Sequence, residues 1–557
     1  MLKFYRGRKE VANIPSIFSV EVDNDADVHI SMPSTMKHEN KLVKVARGVF
    51  EEYCSCSTIH GTKYLGESQR HWFEKAWWIL AYVFSLIGCG MLIRQIYNKW
   101  DQSPVIVTFA GKTTPVFEIP FPAVTICPET KAIKTVVDFT KTYHKFLVQH
   151  EPPYNVSSQE LRLKYMGALS QICEPHLTDT FTMADNVSEE SIIDIIKQIA
   201  PTFNDTMHLC KFRNSMKYCS DYFKEIMTDE GLCFSFNMLN ARELYREGIS
   251  KDFLENDCNV PSNWDLQSGY KEFIEPRTYP YRVLAAGARS GLFVLLRSYE
   301  RNLDYICKGP VQGFKILLHH PAEIPQLSKE YFRVPLLQEV LVSVRPNMIT
   351  TSVGLLDYTP NRRQCFFASE RYLRFFKVYT QRNCELECLA NYTLKACGCV
   401  RFSMPRVDET AICGHRQMTC YNKAEHDLLH EQYLNGITKN ISSTHECECL
   451  PACTSIKYDA EISQASFDWS LLLNAFKSST EYPGMCPARL AIFFKENQFI
   501  TTERSELYGP TDFLANCGGL LGLFMGVSLL SFVEILYHIT LRLCCNLRKN
   551  ASSKDTS

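Results

Sequence analysis

An α+β membrane protein, in which two transmembrane helices flank a large disulfide-rich extracellular domain, is predicted by three features of the chain. Two apolar runs are long enough to cross a bilayer, 18 of the 24 cysteines lie between them, and so do five N-x-S/T acceptors. Charge excludes rather than suggests. Lysine plus arginine (60) nearly cancels aspartate plus glutamate (61), so no general attraction to nucleic acid is implied.

The first run, Ala76 to Ile93, is bracketed by Trp77 and Trp78 at one end and Tyr97 and Trp100 at the other, as in the aromatic belts of membrane interfaces. The preceding residues are polar and charged with no apolar leader, so this helix is expected to act as its own insertion signal. The second run, Ala515 to Val533, has no formal charge, and at ~1.5 Å per residue it approaches the roughly 30 Å of a hydrocarbon core. Within it Gly518, Gly522 and Gly526 recur every four residues and share one helix face. Such a face suits close helix packing; it equally leaves carbonyls open to a passing ion. The acid at Glu534 is costly at membrane depth unless it faces water or a partner.

Basic residues flank the first run on both sides (Lys63, Arg70 and Lys75 before it, Arg94 and Lys99 after it), so cysteine placement orients the chain better. A dense, even set from Cys127 to Cys486 belongs in an oxidising compartment, and Asn155, Asn186, Asn204, Asn391 and Asn440 can be glycosylated only in the secretory lumen. The expected organisation is a cytosolic N-terminal region (1–71), a first transmembrane helix (72–97), an extracellular Cys-rich domain (98–510), a second transmembrane helix (511–538) and a cytosolic tail (539–557). The expected location is the plasma membrane, with two crossings and both termini cytosolic.

Within the domain, Ser290–Leu296, Gly313–His320 and Glu339–Pro346 are apolar or alternating runs bounded by Gly and Pro, and they read as strands of one sheet. Ser188–Ala200 and Ser466–Phe476 keep apolar residues at helical spacing. From Cys365 to Cys453 the cysteines crowd: Cys384-x3-Cys388, Cys397-Gly-Cys399, Cys413, Cys420, Cys447-Glu-Cys449. Zinc thiolates need a reducing or metal-supplied setting, so disulfides are the expected state and no metal site is expected. The spacing of Cys384 and Cys388 puts both sulfurs on one helix face, where two bridges fasten the helix to the Cys447–Cys453 stretch. His426-Asp-Leu-Leu-His430 has the outline of a zinc-protease motif, but Asp427 stands where the catalytic Glu belongs. No phosphate loop, nucleophile elbow or intact zinc motif suggests an enzyme or a cofactor.

In order along the chain stand His60-Gly61, FPAVTIC (Phe121 to Cys127), GLCFSFN (Gly231 to Asn237), GFKILLHHPAEIP (Gly313 to Pro325), the block with CGC and CLPAC, and Gly526-x-Ser528. On these six pieces the sequence resembles the degenerin and epithelial sodium channel family, and it looks most like the insect pickpocket branch. The resemblance implies a trimeric, sodium-preferring, amiloride-sensitive cation channel gated by an extracellular stimulus in sensory or epithelial sodium entry. Its partners would be related subunits in a homo- or heterotrimer, sodium ions and membrane lipid. It also implies the pairs Cys365 with Cys453, Cys384 with Cys449, Cys388 with Cys447, Cys397 with Cys420, Cys399 with Cys413, Cys127 with Cys233 and Cys210 with Cys219. The pairing of Cys173, Cys258, Cys307 and Cys486 stays open.

By the same resemblance Gly526, Val527 and Ser528 form the selectivity filter, Gly522 the amiloride contact, Ala515 the gate position where bulky side chains hold the channel open, and His60-Gly61 the gating pair. Around a threefold axis, three Ser528 hydroxyls and nearby carbonyls would replace part of a small cation's hydration shell, while Glu534 concentrates cations on the cytosolic side. Val527 departs from the Ala, Ser or Leu common in the family. The alternative function is a non-conducting accessory or receptor subunit that works only in heteromers.

Overall fold

The computed structural model describes residues 47–67, 70–102, 105–145, 164–174, 192–254, 261–271, 278–438, 447–477 and 483–552. Two compact units emerge, one from Met1–Trp100 with Pro510–Ser557 and one from Asp101–Gly509. In the first, helix α1 (residues 47–56) and a short turn of helix at Thr62–Gly66 precede α2 (Trp72–Gln102). Only Cys89 of α2 is buried, although its side chains are predominantly apolar. A long apolar helix with most of its surface uncovered by protein is suited to a lipid environment. The chain re-enters this unit at Pro510 through two further helices.

The second unit is built on two sheets. In the larger, β1 (Val105–Pro115), β15 (Gln498–Glu506), β12 (Gln338–Thr351), β14 (Met485–Phe494), β9 (Leu292–Tyr299), β3 (Met207–Phe212) and β4 (Ser215–Lys217) follow in that order, and β13 (Ser455–Ser466) pairs with β12. The smaller runs β11 (Phe332–Pro335), β10 (Gly313–His319), β2 (Ala123–Pro128), β6 (Gly231–Phe236), β5 (Phe223–Thr228). A short ladder, β7 (Trp264–Asp265) with β8 (Gly269–Tyr270), stands apart. One hydrophobic cluster joins the two sheets: Val294 and Leu296 of β9, Val340 and Val342 of β12 and Leu490 of β14 share it with Ile126, Phe236 and Ile316. At its centre the Phe121 ring meets Phe212, Phe236 and Phe494 edge-on, with centroids 5.5, 6.1 and 5.4 Å away.

The three sequence runs expected in one sheet therefore divide between two. β9 and the first half of β12 alternate between buried and more open positions, as strands with one covered face do, whereas every residue of β10 is buried. A strand covered on both faces reads as a continuous apolar run, and β10 is placed in the smaller sheet by its pairing with β2 and β11. Of the expected helices, α3 (Ile192–Ile199) buries five isoleucines in a second core with Leu169, Ile172 and Phe402, and residues 188–191 lie outside the described ones. The other, Trp469–Ala475, starts three residues after Ser466 because Asp468 caps it, accepting the Leu471 N–H at 3.0 Å.

Among the described residues, eight disulfides staple this unit. α4 (Gln381–Cys397) begins at Thr380, whose side chain accepts the Asn383 N–H, and stops at Gly398, φ 72°. Cys384 and Cys388, one turn apart on α4, bond to Cys449 and Cys447, with Cys365–Cys453 outside them and Cys397–Cys420 and Cys399–Cys413 inside, tying α4 to α5 (Met418–Thr438). Cys127–Cys233 joins β2 to β6, Cys210–Cys219 closes the loop after β3, and Cys173–Cys307 is a bridge beyond the seven the resemblance implies. Cys486 is unpaired, and Cys258 lies outside the described residues. Asn204 and Asn391 are exposed, while Asn155, Asn186 and Asn440 lie outside the described residues. His426 and His430 sit exposed on α5 with ring centroids 6.4 Å apart, and among the described residues no His, Cys, Asp and Glu gather in a metal-holding group.

Loss of a native bridge costs about 2–5 kcal/mol, a large share of a domain's total stability. Cys388→Ser is expected to cut surface labelling to well under half of wild type, and the Cys388→Ser/Cys447→Ser double variant to fall no further. Normal surface labelling of the single variant would show that this rung contributes little.

Candidate ion-conducting site

The second apolar run is two helices, not the single rod expected. α6 (Pro510–Met525) ends at Gly526, whose φ of +69° is a left-handed conformation that favours glycine, and its N–H donates to the Gly522 carbonyl at 2.9 Å. α7 (Leu529–Tyr537) begins at Ser528, which is extended and caps it. The cap is reciprocal: the Ser531 N–H donates to Ser528 Oγ at 3.4 Å, and the Ser528 N–H to Ser531 Oγ at 3.1 Å. Gly526-Val527-Ser528 is thus an extended break between two capped helix ends, and the carbonyls of Gly526 and Val527 fall outside both helical ladders. Beyond Tyr537 the helical path continues through a π turn at His538–Arg542 to Ser552, and the candidate membrane span counted from composition is Leu529–Asn546.

A turn of chain between α1 and α2 supports this break. The His60 N–H donates to the Met525 carbonyl at 2.9 Å, and the His60 ring lies so close to Gly526 that a Cβ there would stand 2.5 Å from its Nδ1. Gly61, φ 88°, turns the chain into the Thr62–Gly66 helix beside Trp78. Thr58 reaches further along α7: its N–H and Oγ1–H lie 3.3 and 3.1 Å from Glu534 Oε2, and its Oγ1 is 2.9 Å from Oγ of the fully buried Ser531. Glu52 of α1 pairs with Arg542, and Tyr53 meets His538 edge-on at 5.4 Å. Five of the expected site residues, His60, Gly61, Gly526, Ser528 and Glu534, are therefore gathered within one hydrogen-bonded cluster, with Val527 between them. Thr58 and Ser531 had no sequence signal beyond an S-x-x-S spacing that the glycine pattern overshadowed.

Both remaining site residues are on α6: Gly522 touches the cluster only through its carbonyl, which accepts the Gly526 N–H, and Ala515 lies about two turns further from it. Phe513 and Phe524 turn toward α2, Phe513 against Tyr97 and Trp100 and Phe524 against Gly88, with the Phe524 carbonyl accepting the Ser85 hydroxyl at 2.8 Å. Positions 515, 518 and 522 fall on the opposite side of the helix at 3.6 residues per turn. Ala515 is exposed, and a Cβ on Gly518 or Gly519 would meet nothing within 4 Å. The small-residue face of α6 is open in the single chain.

The family profile described as amiloride-sensitive sodium channel matches residues 53–538. The chain belongs to the amiloride-sensitive sodium channel family. Pickpocket protein 28 of Drosophila melanogaster is 30% identical over 511 residues, covering 89% of this chain and 79% of the relative. Sodium channel protein Nach of the same fly is 24% identical, covering 91% and 90%, and acid-sensing ion channel 4-B of Danio rerio is 23% identical, covering 87% and 75%. These members of the sodium channel family are ion channels and not enzymes.

Gly526→Ala forces a left-handed backbone on an L residue, at about 1–2 kcal/mol, and pushes the His60 ring aside. The variant is expected to reach the surface and to lose most of its whole-cell current. Full current per surface-labelled channel would show that the break tolerates a straighter helix.

Proposed function

We propose that this protein is a subunit of a trimeric, sodium-preferring, amiloride-blocked cation channel of the plasma membrane, opened by a stimulus acting on its extracellular domain. The observation that carries the reading is the capped break at Gly526-Val527-Ser528, set below a bare small-residue face on α6. Three such faces about an axis would bring Ala515 and Gly522 to the pore, and three breaks would offer Gly526 and Val527 carbonyls with Ser528 to a partly dehydrated cation. Gly522 would be the amiloride contact and Ala515 the gate. His60-Gly61 would couple the cytosolic segment to the filter, and Glu534, held by Thr58, would supply negative charge on the cytosolic side. Both termini would be cytosolic and the disulfide-rich domain outside, a placement supported by eight bridges and by the exposure of the acceptors Asn204 and Asn391.

Expression alone in a null cell under voltage clamp, with a panel of stimuli and amiloride, tests the reading. An amiloride-blocked sodium current supports it; surface protein that carries no current alone, and conducts only beside another subunit, points to an accessory role instead. Ser528→Ala should shift the sodium to potassium permeability ratio, and an unchanged ratio at full current would move the filter elsewhere. Ala515→Phe should overpack the closed state by about 1–3 kcal/mol per subunit, which over three subunits is enough to give stimulus-independent current. Silence of that variant at the surface would separate Ala515 from the gate.

A further inference from the structure

Three separate hydrophobic cores of the second unit meet around an internal space. Tyr222 and, at its edge, Tyr281 belong to the layer between the two sheets, Ile193 and Phe402 to the core built on α3, and Leu244 and Tyr245 to the cluster that packs on α4. All six line one cavity of about 140 Å³, together with residues of β5, of β6 and of the short helix Ala241–Leu244. Protein interiors pack to the density of organic crystals and hold few voids larger than a water molecule. A space of this size at a three-way junction is room that the lining side chains leave unfilled.

The lining selects by chemistry. Rings stand around it at angles to one another: Tyr281 lies 6.3 Å from Tyr222 and 5.7 Å from Tyr279, edge to face in both cases, and Tyr245 lies 5.6 Å from Phe253. Met227 and Met238 add thioethers, which sit well against ring edges. Charge does not select. Asp221 and Glu225 balance Lys197 and Lys224, and Asp252 is paired with Arg406. Lys224 and Glu225 are exposed and mark the side that opens to solvent. Deeper in, the polar groups are mostly engaged. The Asn237 amide donates to the Phe121 and Tyr281 carbonyls at 2.6 and 3.0 Å, Ser235 Oγ accepts from Thr125 at 3.1 Å, the Tyr222 hydroxyl donates to the Ser215 carbonyl at 3.2 Å, and that of Tyr279 to the Met238 carbonyl. Tyr245 is the exception. It is 6% exposed, and its hydroxyl makes no hydrogen bond among the described residues. Burial pushes this phenol well above the ordinary tyrosine range, so it keeps its proton and remains a donor. A buried donor without an acceptor is costly, and an occupant that brings an acceptor removes that cost.

We propose that this cavity is a binding site for a small neutral aromatic molecule, about one ring in size, whose oxygen accepts a hydrogen bond from the Tyr245 hydroxyl. A cavity of roughly 150 Å³ lined by apolar side chains holds a benzene, so this one admits a single ring with a small oxygen substituent and not a fused ring system. The occupant supplies contacts that the three cores lack with one another, and by binding the folded state alone it stabilises the unit. The site lies in the disulfide-rich unit, and its occupancy is read without any current, so it stands or falls separately from the channel reading.

The test is the thermal unfolding midpoint of the purified full-length protein titrated with phenol and, in parallel, with toluene, which has the same shape without the oxygen. Phenol is expected to raise the midpoint saturably. Tyr245→Phe should need about fivefold more phenol for the half-maximal shift, the worth of one net hydrogen bond, while its response to toluene stays that of wild type. Partitioning of a probe into detergent is the same for both proteins and cancels in the comparison. No saturable rise with phenol, or an equal phenol response in Tyr245→Phe, would overturn the site. If that variant does not fold, bromine anomalous scattering from wild-type crystals soaked in 4-bromophenol decides: a peak in the space between Tyr245, Tyr281 and Phe402 is expected, and its absence removes the proposal.

Discussion

One backbone conformation, the left-handed turn at Gly526, determines what the rest of the membrane unit can be. It stops α6, lets α7 start afresh at Ser528, and leaves a cleft that only a residue without a side chain could share with the His60 ring. Each end is then satisfied by a named group. Gly522 accepts from Gly526, Met525 accepts from His60, Phe524 accepts from Ser85, and Ser531 exchanges bonds with Ser528. In a medium without water an interrupted helix is tolerated only under that condition. The segment before α2 is therefore part of the break's construction, since without Thr58 and His60 a carboxylate and a carbonyl would be left with fewer donors.

The central unit solves a different problem, that of holding a long polypeptide outside any single core. Its two sheets share one hydrophobic layer, while α3 and α4 each build a separate cluster beside it. The disulfide ladder on α4 compensates for what that helix lacks: it buries polar Asn383, Glu387 and Thr393 alongside Cys384 and Leu386, so bridges and specific hydrogen bonds stand in for an apolar stripe. Glu387 illustrates this. Its two oxygens accept the backbone N–H groups of Arg374 and Phe375 at 2.8 and 2.9 Å, which fixes the approach of a loop whose own strand pairing is a single bridge from Phe376 to Tyr245.

What was legible in the sequence was whatever local chemistry dictates. An uncharged run from Ala515 to Val533 declares a membrane segment, and the cysteine spacing at 384 and 388 declares a helix with both sulfurs on one side. The break within that run was hidden because the same glycine at 526 serves equally as a packing face and as a helix stop; only its partner His60, far away in the chain, selects between them. Cys173 and Cys307 were unassignable for a similar reason, since spacing cannot say which distant sulfurs a fold brings together. β10 was recognised as a strand but placed in the wrong sheet, because an apolar run reports that both faces are covered without reporting by what. Thr58 and Ser531 were missed altogether: hydroxyl residues are common, and nothing marks the one that meets a carboxylate.

The pairing of β1 with β15 carries a consequence for how the molecule is made. Val105 is paired with Glu506, so the edge strand β1 and the only strand it pairs with in the larger sheet are separated by about four hundred residues of translation. At synthesis rates of roughly 5–20 residues per second, β1 waits on the order of 20–80 seconds with an unpaired edge while the intervening strands, bridges and clusters form. Its exposed Val107 and Phe109 are available to other chains during that interval. Correct oxidation of the inner cysteines before β15 arrives would shorten the effective loop that must be closed, making disulfide formation a kinetic aid to assembly as well as a source of stability in the finished protein.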